Sequence, residues 1–326
     1  MEVPDELLEA KDAIQADLLA LPGVTGVGIG MREEDGELFE EELALRVYVE
    51  DLNAVPDGIP SELSGWPVSV VEMNIEPCMA ADMTRYEELK GGIRIAHPSH
   101  GSGTLGTIVK ELREDEEEPN YYALTAQHVV GSGEGEEFPH IVWQAESPPI
   151  FAGAEVASTD SVGEVRGSAF PTLPPGVGGA VVGDVDAAIV SLDWAAGEER
   201  GSSAAIADDS GAGDLVEAVT ETALPLVGDQ VRKRGFATRL THGFVIDAHH
   251  VAPWSPGGAN HWLAEQVVIA GTGGTFCAQG DSGSLVLEEE SPTAVGLLWA
   301  QELGGRRGVA CKWRNVERAL GVTPVL

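Results

Sequence analysis

Basic residues are scarce in this chain of 326 residues. Nineteen lysine and arginine residues stand against 54 aspartate and glutamate residues, which gives a formal net charge of −35 at pH 7. Binding to nucleic acid is therefore disfavoured, because phosphate groups are contacted mainly by lysine and arginine. We interpret most of the acidic residues as a solvated surface that keeps the protein soluble.

Cysteine is also rare. The three cysteines, Cys78, Cys277 and Cys311, are too few and too scattered for a disulfide framework or a four-thiolate zinc site. We interpret them as reduced, half-buried thiols. The sequence indicates neither a metal site nor an organic cofactor.

Long apolar segments are missing as well. No stretch is as long and apolar as a membrane-spanning helix, and the first residues, MEVPDELLEAKDAIQADLLALPGV, lack the basic region and apolar run of a secretory signal. We therefore expect a cytoplasmic protein with no membrane partner. The same residues predict an amphipathic helix, because leucine and isoleucine recur at helical spacing between acidic residues.

The patterns that are present divide the chain into two regions. Residues 1–88 predict a small α+β domain, in which the helix is followed by the β-branched segments GVTGVGIGM, ELALRVYVE and PVSVVEMN. Residues 89–326 contain many short apolar runs separated by glycine- and proline-rich turns, which are typical of a β-barrel or sandwich. Within this second region we place a boundary between two lobes near residues 196–215.

Three short strings carry candidate catalytic residues. His128 lies in LTAQHVV, Asp186 in DVDAAIV and Ser282 in GDSGS. Attack by a serine hydroxyl requires a base to take its proton, an acid to orient that base, and donors for the developing oxyanion. The three residues occur in the chain order of chymotrypsin-like enzymes, 58 and 96 residues apart (186 − 128 and 282 − 186).

These strings resemble those of the trypsin/chymotrypsin-like peptidases. The narrower resemblance is to the plant narrow-leaf protein and its bacterial trypsin-like relatives, and it rests on GTLGTIV, VDAAI, VRKRG, GDSGS and the N-terminal piece LLALPGVTGVGIG. The resemblance implies a mainly β fold, namely a two-lobed antiparallel β-barrel peptidase domain. It further implies a serine endopeptidase that acts on a protein or peptide substrate.

The same resemblance assigns roles around the nucleophile. The backbone N–H groups of Gly280 and Ser282 would form the oxyanion hole. Asp281 would be held by internal contacts, since no activation sequence precedes it. A serine at position 284 is a variant that the narrow-leaf group shares. Phe276 stands where trypsins carry the acid of the specificity pocket, so a preference for lysine or arginine is not expected.

Alternative interpretations remain for several residues. Asp184 competes with Asp186 but lacks the following x-Ala-Ile and is interpreted as a turn acid. His97 and His100 have no partners at zinc-like spacing and are interpreted as loop residues. The basic cluster VRKRG is expected to pair with local carboxylates, and no bond between Cys277 and Cys311 is expected.

Two function classes are therefore carried forward. The first is the endopeptidase, and the second is a catalytically silent protease-fold protein that acts as a scaffold or interaction module. A regulatory or assembly role is one hypothesis for the N-terminal domain, and blocking of the active-site cleft by this domain is compatible with the endopeptidase. The oligomeric state stays open, and a homo-oligomer is one outcome.

The excess of acidic residues leads to a first prediction, namely that the protein is adapted to high salt. The Debye length falls to about 3 Å at 1 M salt, so repulsion between surface carboxylates is screened. We expect the melting temperature to rise between low and molar potassium chloride, as measured by thermal unfolding. An equal or lower melting temperature in molar salt would contradict this hypothesis.

Overall fold

The structure is a computed structural model, and it describes most of the chain. The described residues are 1, 3–34, 36–76, 82–97, 100–112, 119–131, 141–144, 160–170, 181–192, 201–208, 214–254 and 261–325. Cys78 and parts of the predicted lobe boundary lie outside these residues. No helix within these ranges is both long enough and apolar enough to cross a membrane.

The N-terminal region forms one helix and five strands. They are α1 (Asp5–Leu19), β1 (Val24–Glu34), β2 (Glu37–Val49), β3 (Glu62–Leu63), β4 (Trp66–Glu72) and β5 (Ile75–Glu76), with a 3-10 turn at Leu52–Ala54. Asp5 and Glu6 in the first turn of α1 favour the helix through its dipole. Leu7 and Leu18 are buried, so the predicted amphipathic helix is present and packs on the strands through its leucines.

The next region forms the first lobe. Its elements are β6 (Glu88–Gly91), β7 (Arg94–His97), β8 (Gly101–Thr104), β9 (Thr107–Glu111), β10 (Tyr121–Thr125), α2 (Gln127–Val130), β11 (Ile141–Trp143), β12 (Ser161–Ala169), β13 (Val181–Gly183) and β14 (Ala187–Ser191). An antiparallel sheet of eight strands, in the order β24-β9-β10-β14-β12-β11-β7-β8, includes the last strand of the chain. This sheet carries α2 and the start of β14, where two of the candidate residues lie.

The remaining elements form the second lobe and the C-terminal segment. They are β15 (Gly201–Ala207), β16 (Asp214–Val216), β17 (Glu221–Thr222), β18 (Gln230–Gly235), β19 (Arg239–Trp254), β20 (His261–Gly271), β21 (Leu285–Glu288), β22 (Thr293–Glu302), β23 (Arg307–Lys312), α3 (Trp313–Leu320) and β24 (Val322–Pro324). Strands β15, β16 and β6 form a separate small sheet. One cluster of buried apolar side chains runs from the first lobe into the second, so the two lobes share a core.

The N-terminal strands continue the sheet of the second lobe. The 13-stranded sheet has the order β13-β20-β23-β22-β21-β18-β19-β1-β2-β4-β3, with β5 and β17 pairing to β22. The junction is the antiparallel pair of β1 and β19, in which Val27 lies opposite Val251. The apolar core of the second lobe also includes Met31, Tyr48 and Met73 from the N-terminal region. The two regions therefore share both hydrogen bonds and a core.

A chain of buried polar groups crosses this junction. Asp247 on β19 is fully buried and accepts hydrogen bonds from the Ile29 N–H at 3.1 Å and the Tyr48 hydroxyl at 3.0 Å. Arg46 Nε donates to the same tyrosine hydroxyl at 2.9 Å, and its guanidinium pairs with Glu33. Because buried polar groups must be hydrogen-bonded to be tolerated, these contacts tie the position of the N-terminal strands to β19.

Residues 82–86, which lie between β5 and β6, contact both lobes. Asp82 pairs with Arg234 on β18 at 2.5 Å, and both side chains are buried. Its backbone N–H donates to the Phe236 carbonyl at 2.7 Å. Gln144 of the first lobe accepts from the Tyr86 N–H at 3.0 Å and donates to the Thr84 carbonyl at 2.8 Å. Residues 82–86 are therefore built into the contact between the lobes.

The buried Asp82–Arg234 pair leads to a prediction about stability and pH. Burial alone would raise the pKa of Asp82, but hydrogen bonds from Arg234, Thr84 and Tyr86 outweigh it and lower that pKa below its ordinary value. A carboxyl whose pKa is lowered on folding stabilises the folded state above its unfolded pKa, and this contribution is lost as the pH falls through the folded pKa. We expect Asp82→Asn to cost about 3–5 kcal/mol at neutral pH, because Arg234 is left buried without a carboxylate.

The measurement is urea unfolding of the wild type and Asp82→Asn between neutral and acid pH. The difference between the two proteins should shrink as the pH falls, because protonation gives the wild type a neutral side chain too. Asp12→Asn is the matched control: its carboxylate also pairs with a buried cation, Lys11, but is 64% exposed, so a change below about 1 kcal/mol is expected. A pH-independent difference for Asp82→Asn would refute the assigned role of its charge.

Candidate active site

His128 is held by the carboxylate of Asp186. It lies on the single-turn helix α2 that follows β10, and Asp186 immediately precedes β14, the neighbour of β10 in the sheet. His128 Nδ1 lies 2.8 Å from Asp186 Oδ2, and the His128 backbone N–H donates to Oδ1 at 3.2 Å. Asp186 is fully buried, whereas the imidazole is 19% exposed. The carboxylate therefore orients a histidine whose ring still reaches solvent.

Two groups of the second lobe complete the surroundings of Asp186. The indole Nε1–H of Trp254, at the end of β19, donates to Asp186 Oδ2 at 2.8 Å. The Asp186 backbone N–H donates to the sulfur of Cys311 at 3.2 Å. Burial raises the pKa of the Cys311 thiol well above its usual value, and the nearby Asp186 charge raises it further, so this sulfur remains a neutral thiol. No local sequence pattern links Trp254 to Asp186, so this contact could not be predicted from the sequence.

Ser282 lies at the contact between the lobes and is 3% exposed. Its carbonyl accepts from the Thr104 N–H of the first lobe at 2.8 Å. At Gly103 a side chain would collide with Val129, the neighbour of His128, and would lie 2.9 Å from the Ser282 carbonyl oxygen. Only glycine permits this approach, so Gly103 marks the point where the serine turn and the helix of His128 come together.

The hydroxyl of Ser282 is directed at the backbone. Ser282 Oγ donates to the Trp299 carbonyl at 2.9 Å, and the described residues include no hydrogen bond between this hydroxyl and the His128 imidazole. The structure therefore brings the serine turn close to the histidine helix but joins only His128 and Asp186 by a side-chain hydrogen bond. Redirection of the hydroxyl towards His128 requires its hydrogen bond to the Trp299 carbonyl to break.

The residues before Ser282 form a type II turn. The Asp281 N–H donates to the Ala278 carbonyl at 3.0 Å, and Gly280 at the third position has φ of +107°. A positive φ at this position is the requirement of a type II turn and favours glycine. The Gly280 carbonyl accepts from Thr104 Oγ1 at 2.8 Å. Within the described part of the chain no hydrogen bond joins the N–H groups of Gly280 and Ser282 to a protein acceptor.

The turn is anchored by the buried carboxylate of Asp281. Lys233 on β18 lies 3.0 Å from Asp281 Oδ2, and neither side chain is exposed. The same carboxylate accepts from the Ala237, Thr238 and Ala278 N–H groups at 2.9, 3.1 and 2.9 Å, and from the Thr238 hydroxyl at 2.5 Å. The expected internal contacts of Asp281 are therefore present, and the lysine of VRKRG supplies the positive charge.

The side chain at the position expected to set specificity packs inside the protein. Phe276 is fully buried in the apolar core of the second lobe. Its N–H and that of Cys277 both donate to the Gly305 carbonyl, at 2.7 and 3.2 Å. Cys277 and Cys311 are free thiols with no bond between them, as expected, but both are fully buried rather than half-buried.

The remaining candidates lie elsewhere. Asp184 is paired with Arg318 on α3. His97 is the buried last residue of β7, so its assignment to a loop was wrong, and its ring lies 4.9 Å from that of His100. Across the ranges that the structure describes, no group of three or more histidine, cysteine or acidic side chains could hold a metal ion.

Comparisons with known proteins address the fold. No family model and no curated protein matches the chain. Among solved structures it is similar to a glutamic acid specific serine protease that utilizes a histidine triad in substrate binding, with 18% identity and a TM-score of 0.50 over 72% of this chain and 99% of that chain. It is also similar to Protease A of Thermobifida fusca, with 16% identity and a TM-score of 0.50 over 73% of this chain and 98% of that chain.

These similarities confirm the predicted fold class. The protein is mainly β and has the fold of chymotrypsin-like serine proteases, preceded by an N-terminal helix and strands. The narrower resemblance to the narrow-leaf group stays a prediction, as do the domain boundary at residues 88/89 and the catalytic roles of the site residues.

The anchoring of Asp281 by Lys233 leads to the next prediction. Lys233→Met leaves a buried carboxylate without its cation, which we expect to cost about 3–5 kcal/mol in the free energy of unfolding. Release of the turn should also slow labelling of Ser282 by a fluorophosphonate probe by about 10²–10³-fold, the usual effect of losing one oxyanion donor.

The matched control is Arg232→Met, which removes the same charge from the preceding residue of the same strand. Both variants are measured by urea unfolding and by labelling at a temperature where each is folded. Labelling of folded Lys233→Met at the wild-type rate would show that the turn does not depend on this pair.

Proposed function

We propose that the protein is a serine endopeptidase that hydrolyses peptide bonds through His128, Asp186 and Ser282. The observation that carries the proposal is the contact of the buried Asp186 carboxylate with both the ring and the backbone of His128. The arrangement suits general base catalysis, because the aspartate accepts the Nδ1–H and leaves Nε2 free to take a proton. The similarity to one protein named as a serine protease and to another named as a protease supports the same class.

The first chemical step begins with Ser282. Its hydroxyl turns from the Trp299 carbonyl towards His128, transfers its proton to Nε2 and attacks the carbonyl carbon of the substrate. The oxyanion of the tetrahedral intermediate is bound by the N–H groups of Gly280 and Ser282. Asp186 stabilises the imidazolium that forms at His128, without itself being protonated.

The second half of the reaction releases the products. His128 donates its proton to the leaving amine, and the carbon–nitrogen bond breaks to leave an acyl-enzyme on Ser282. Water then attacks the ester and transfers a proton to His128, which returns it to Ser282 Oγ as the acyl carbon–oxygen bond breaks and the carboxyl product departs. This scheme uses only side chains and backbone groups of the chain and assigns no cofactor.

The substrate is proposed as a protein or peptide without a requirement for lysine or arginine. With Phe276 at the expected position of the specificity acid, no carboxylate is available there to pair with a basic side chain. We further propose a cytoplasmic location, kinship with the narrow-leaf group, and a regulatory or assembly role for the N-terminal region.

A second function is favoured by one specific observation. Ser282 is 3% exposed and its hydroxyl donates to a backbone carbonyl. These features suit a catalytically silent protein that keeps the protease fold as a scaffold or interaction module. Reactivity of Ser282 distinguishes the two functions, because a silent protein would leave the hydroxyl unactivated.

Labelling by a fluorophosphonate probe tests the proposal. We expect the wild type to be labelled on Ser282, Ser282→Ala to keep its fold and lose labelling completely, and heat-unfolded wild type to remain unlabelled. The matched control is Ser291→Ala, the same substitution in the turn between β21 and β22, which should be labelled like the wild type.

Mass spectrometry of the labelled peptide identifies the modified residue, and thermal unfolding checks the fold. An unlabelled, folded wild type would favour the silent protein. Labelling of Ser282→Ala at the wild-type rate would place the reactive group elsewhere and end the endopeptidase proposal.

A further inference from the structure

Trp254 supplies a third hydrogen bond to the Asp186 carboxylate. Its indole N–H donates to Oδ2 at 2.8 Å, the same distance at which His128 Nδ1 contacts that oxygen. The other oxygen, Oδ1, accepts from the His128 backbone N–H at 3.2 Å. The fully buried carboxylate thus accepts three hydrogen bonds. Two come from His128, which the carboxylate orients, and the third comes from the indole of Trp254.

The topology explains how an indole from the second lobe reaches this aspartate. Trp254 is the last residue of β19 and lies opposite His261, the first residue of β20. Strand β13 pairs in parallel with the same end of β20 and leads directly to Asp186. Gln266 on β20 donates to the Asp184 carbonyl at 2.9 Å, which holds this segment against the β19–β20 pair.

Aromatic contacts fix the orientation of the indole. Phe170, which follows β12, packs edge-on against Trp254 with a ring-centroid distance of 4.2 Å. His261 lies 6.3 Å from the indole and 5.8 Å from the ring of Phe170. Edge-to-face packing at such distances is favourable. The N–H is therefore directed at Asp186 by packing as well as by its hydrogen bond.

We propose that Trp254 is a positioning residue, which holds the Asp186 carboxylate in the plane that orients His128 towards Ser282. This inference rests on the endopeptidase proposal. His128 and Asp186 belong to the first lobe, whereas Ser282 and Trp254 belong to the second. The indole hydrogen bond therefore ties the aspartate to the lobe that carries the nucleophile, which a contact within the first lobe could not do.

The chemistry of the indole suits this role. The energy of rotation about the Cβ–Cγ bond of an aspartate changes little with angle, so the carboxylate can turn over a wide range. A hydrogen bond from the indole restricts this rotation more than the two hydrogen bonds from His128 do alone. An indole donates and cannot accept, so it does not compete with Asp186 for the Nδ1 proton of His128. It also carries no charge, unlike an arginine, and leaves the negative charge of Asp186 available to stabilise the imidazolium.

The test deletes the N–H and keeps an aromatic ring. With a fluorophosphonate probe, we expect Trp254→Phe to lower the maximal inactivation rate by roughly 10- to 100-fold, the range for a charge-assisted hydrogen bond. The concentration for half-maximal rate should change less than about threefold, because the indole does not contact the probe. Phe170→Leu, which removes a ring but keeps the donor, should lower the rate by less.

A double-mutant cycle separates positioning from general damage. If Trp254 acts through Asp186, Trp254→Phe should have no further effect in an Asp186→Asn background. Site-specific replacement of Trp254 by β-(3-benzothienyl)alanine, in which sulfur replaces the N–H, provides a second variant of nearly unchanged shape. Equal losses of rate in the wild-type and Asp186→Asn backgrounds would overturn the proposal, as would a benzothienyl variant that reacts like the wild type.

A spectroscopic measurement keeps this inference separate from the proposed function. In ¹⁵N-labelled protein, the indole N–H resonance of Trp254 should move upfield in Asp186→Asn, and the Nδ1–H resonance of His128 should broaden in Trp254→Phe. If both variants show these changes but the probe does not label the wild type, the endopeptidase proposal fails while the positioning by Trp254 holds. If the probe labels the wild type and neither resonance changes, the positioning proposal fails alone.

Discussion

The buried carboxylate of Asp281 is the constraint on which the candidate site depends. A charge removed from water is tolerated only when it is paired and hydrogen-bonded, and Asp281 has five donors, including Lys233 at 3.0 Å. These contacts leave the preceding turn little freedom. They fix the end of the type II turn in which Gly280 has a φ of +107°. Because Ser282 directly follows Asp281, the same contacts also restrict its backbone.

The same principle recurs at three other places in the molecule. Asp82 is paired with Arg234, Asp186 with His128 and Trp254, and Asp247 with Tyr48 and the backbone of β1. Each of these aspartates is buried, and each joins segments that are distant in sequence. In a chain with few basic residues, Lys233 and Arg234 are directed inward from consecutive positions of β18, one to each face of the strand, because side chains alternate along a strand. Because these basic side chains are buried, the shortage of positive charge is greatest at the surface.

The large sheet runs without a break from the second lobe into the strands of the N-terminal region. The helix and strands of this region were foreseeable from the local pattern, since leucines at helical spacing and β-branched runs report local structure. The pairing of β1 with β19 was not foreseeable, because both strands are apolar and either could have paired elsewhere. Asp247 on β19 helps to join the two regions, because its carboxylate accepts hydrogen bonds from the Ile29 N–H of β1 and the Tyr48 hydroxyl of β2 as well as from the His249 N–H of its own strand.

What the sequence alone determined is the local chemistry: a mainly β fold, a histidine, an aspartate and a serine in catalytic order, and a glycine where the turn before the serine needs a positive φ. These depend on neighbouring residues. Only the tertiary structure decided which distant groups complete the site, because hydrogen bonds between distant residues leave no local sequence pattern. The partners are 48 residues apart for Lys233 and Asp281, 68 for Trp254 and Asp186, and 152 for Asp82 and Arg234. The tertiary structure also decided that Ser282 rests against a backbone carbonyl, since side-chain direction follows from packing rather than from the residues beside it.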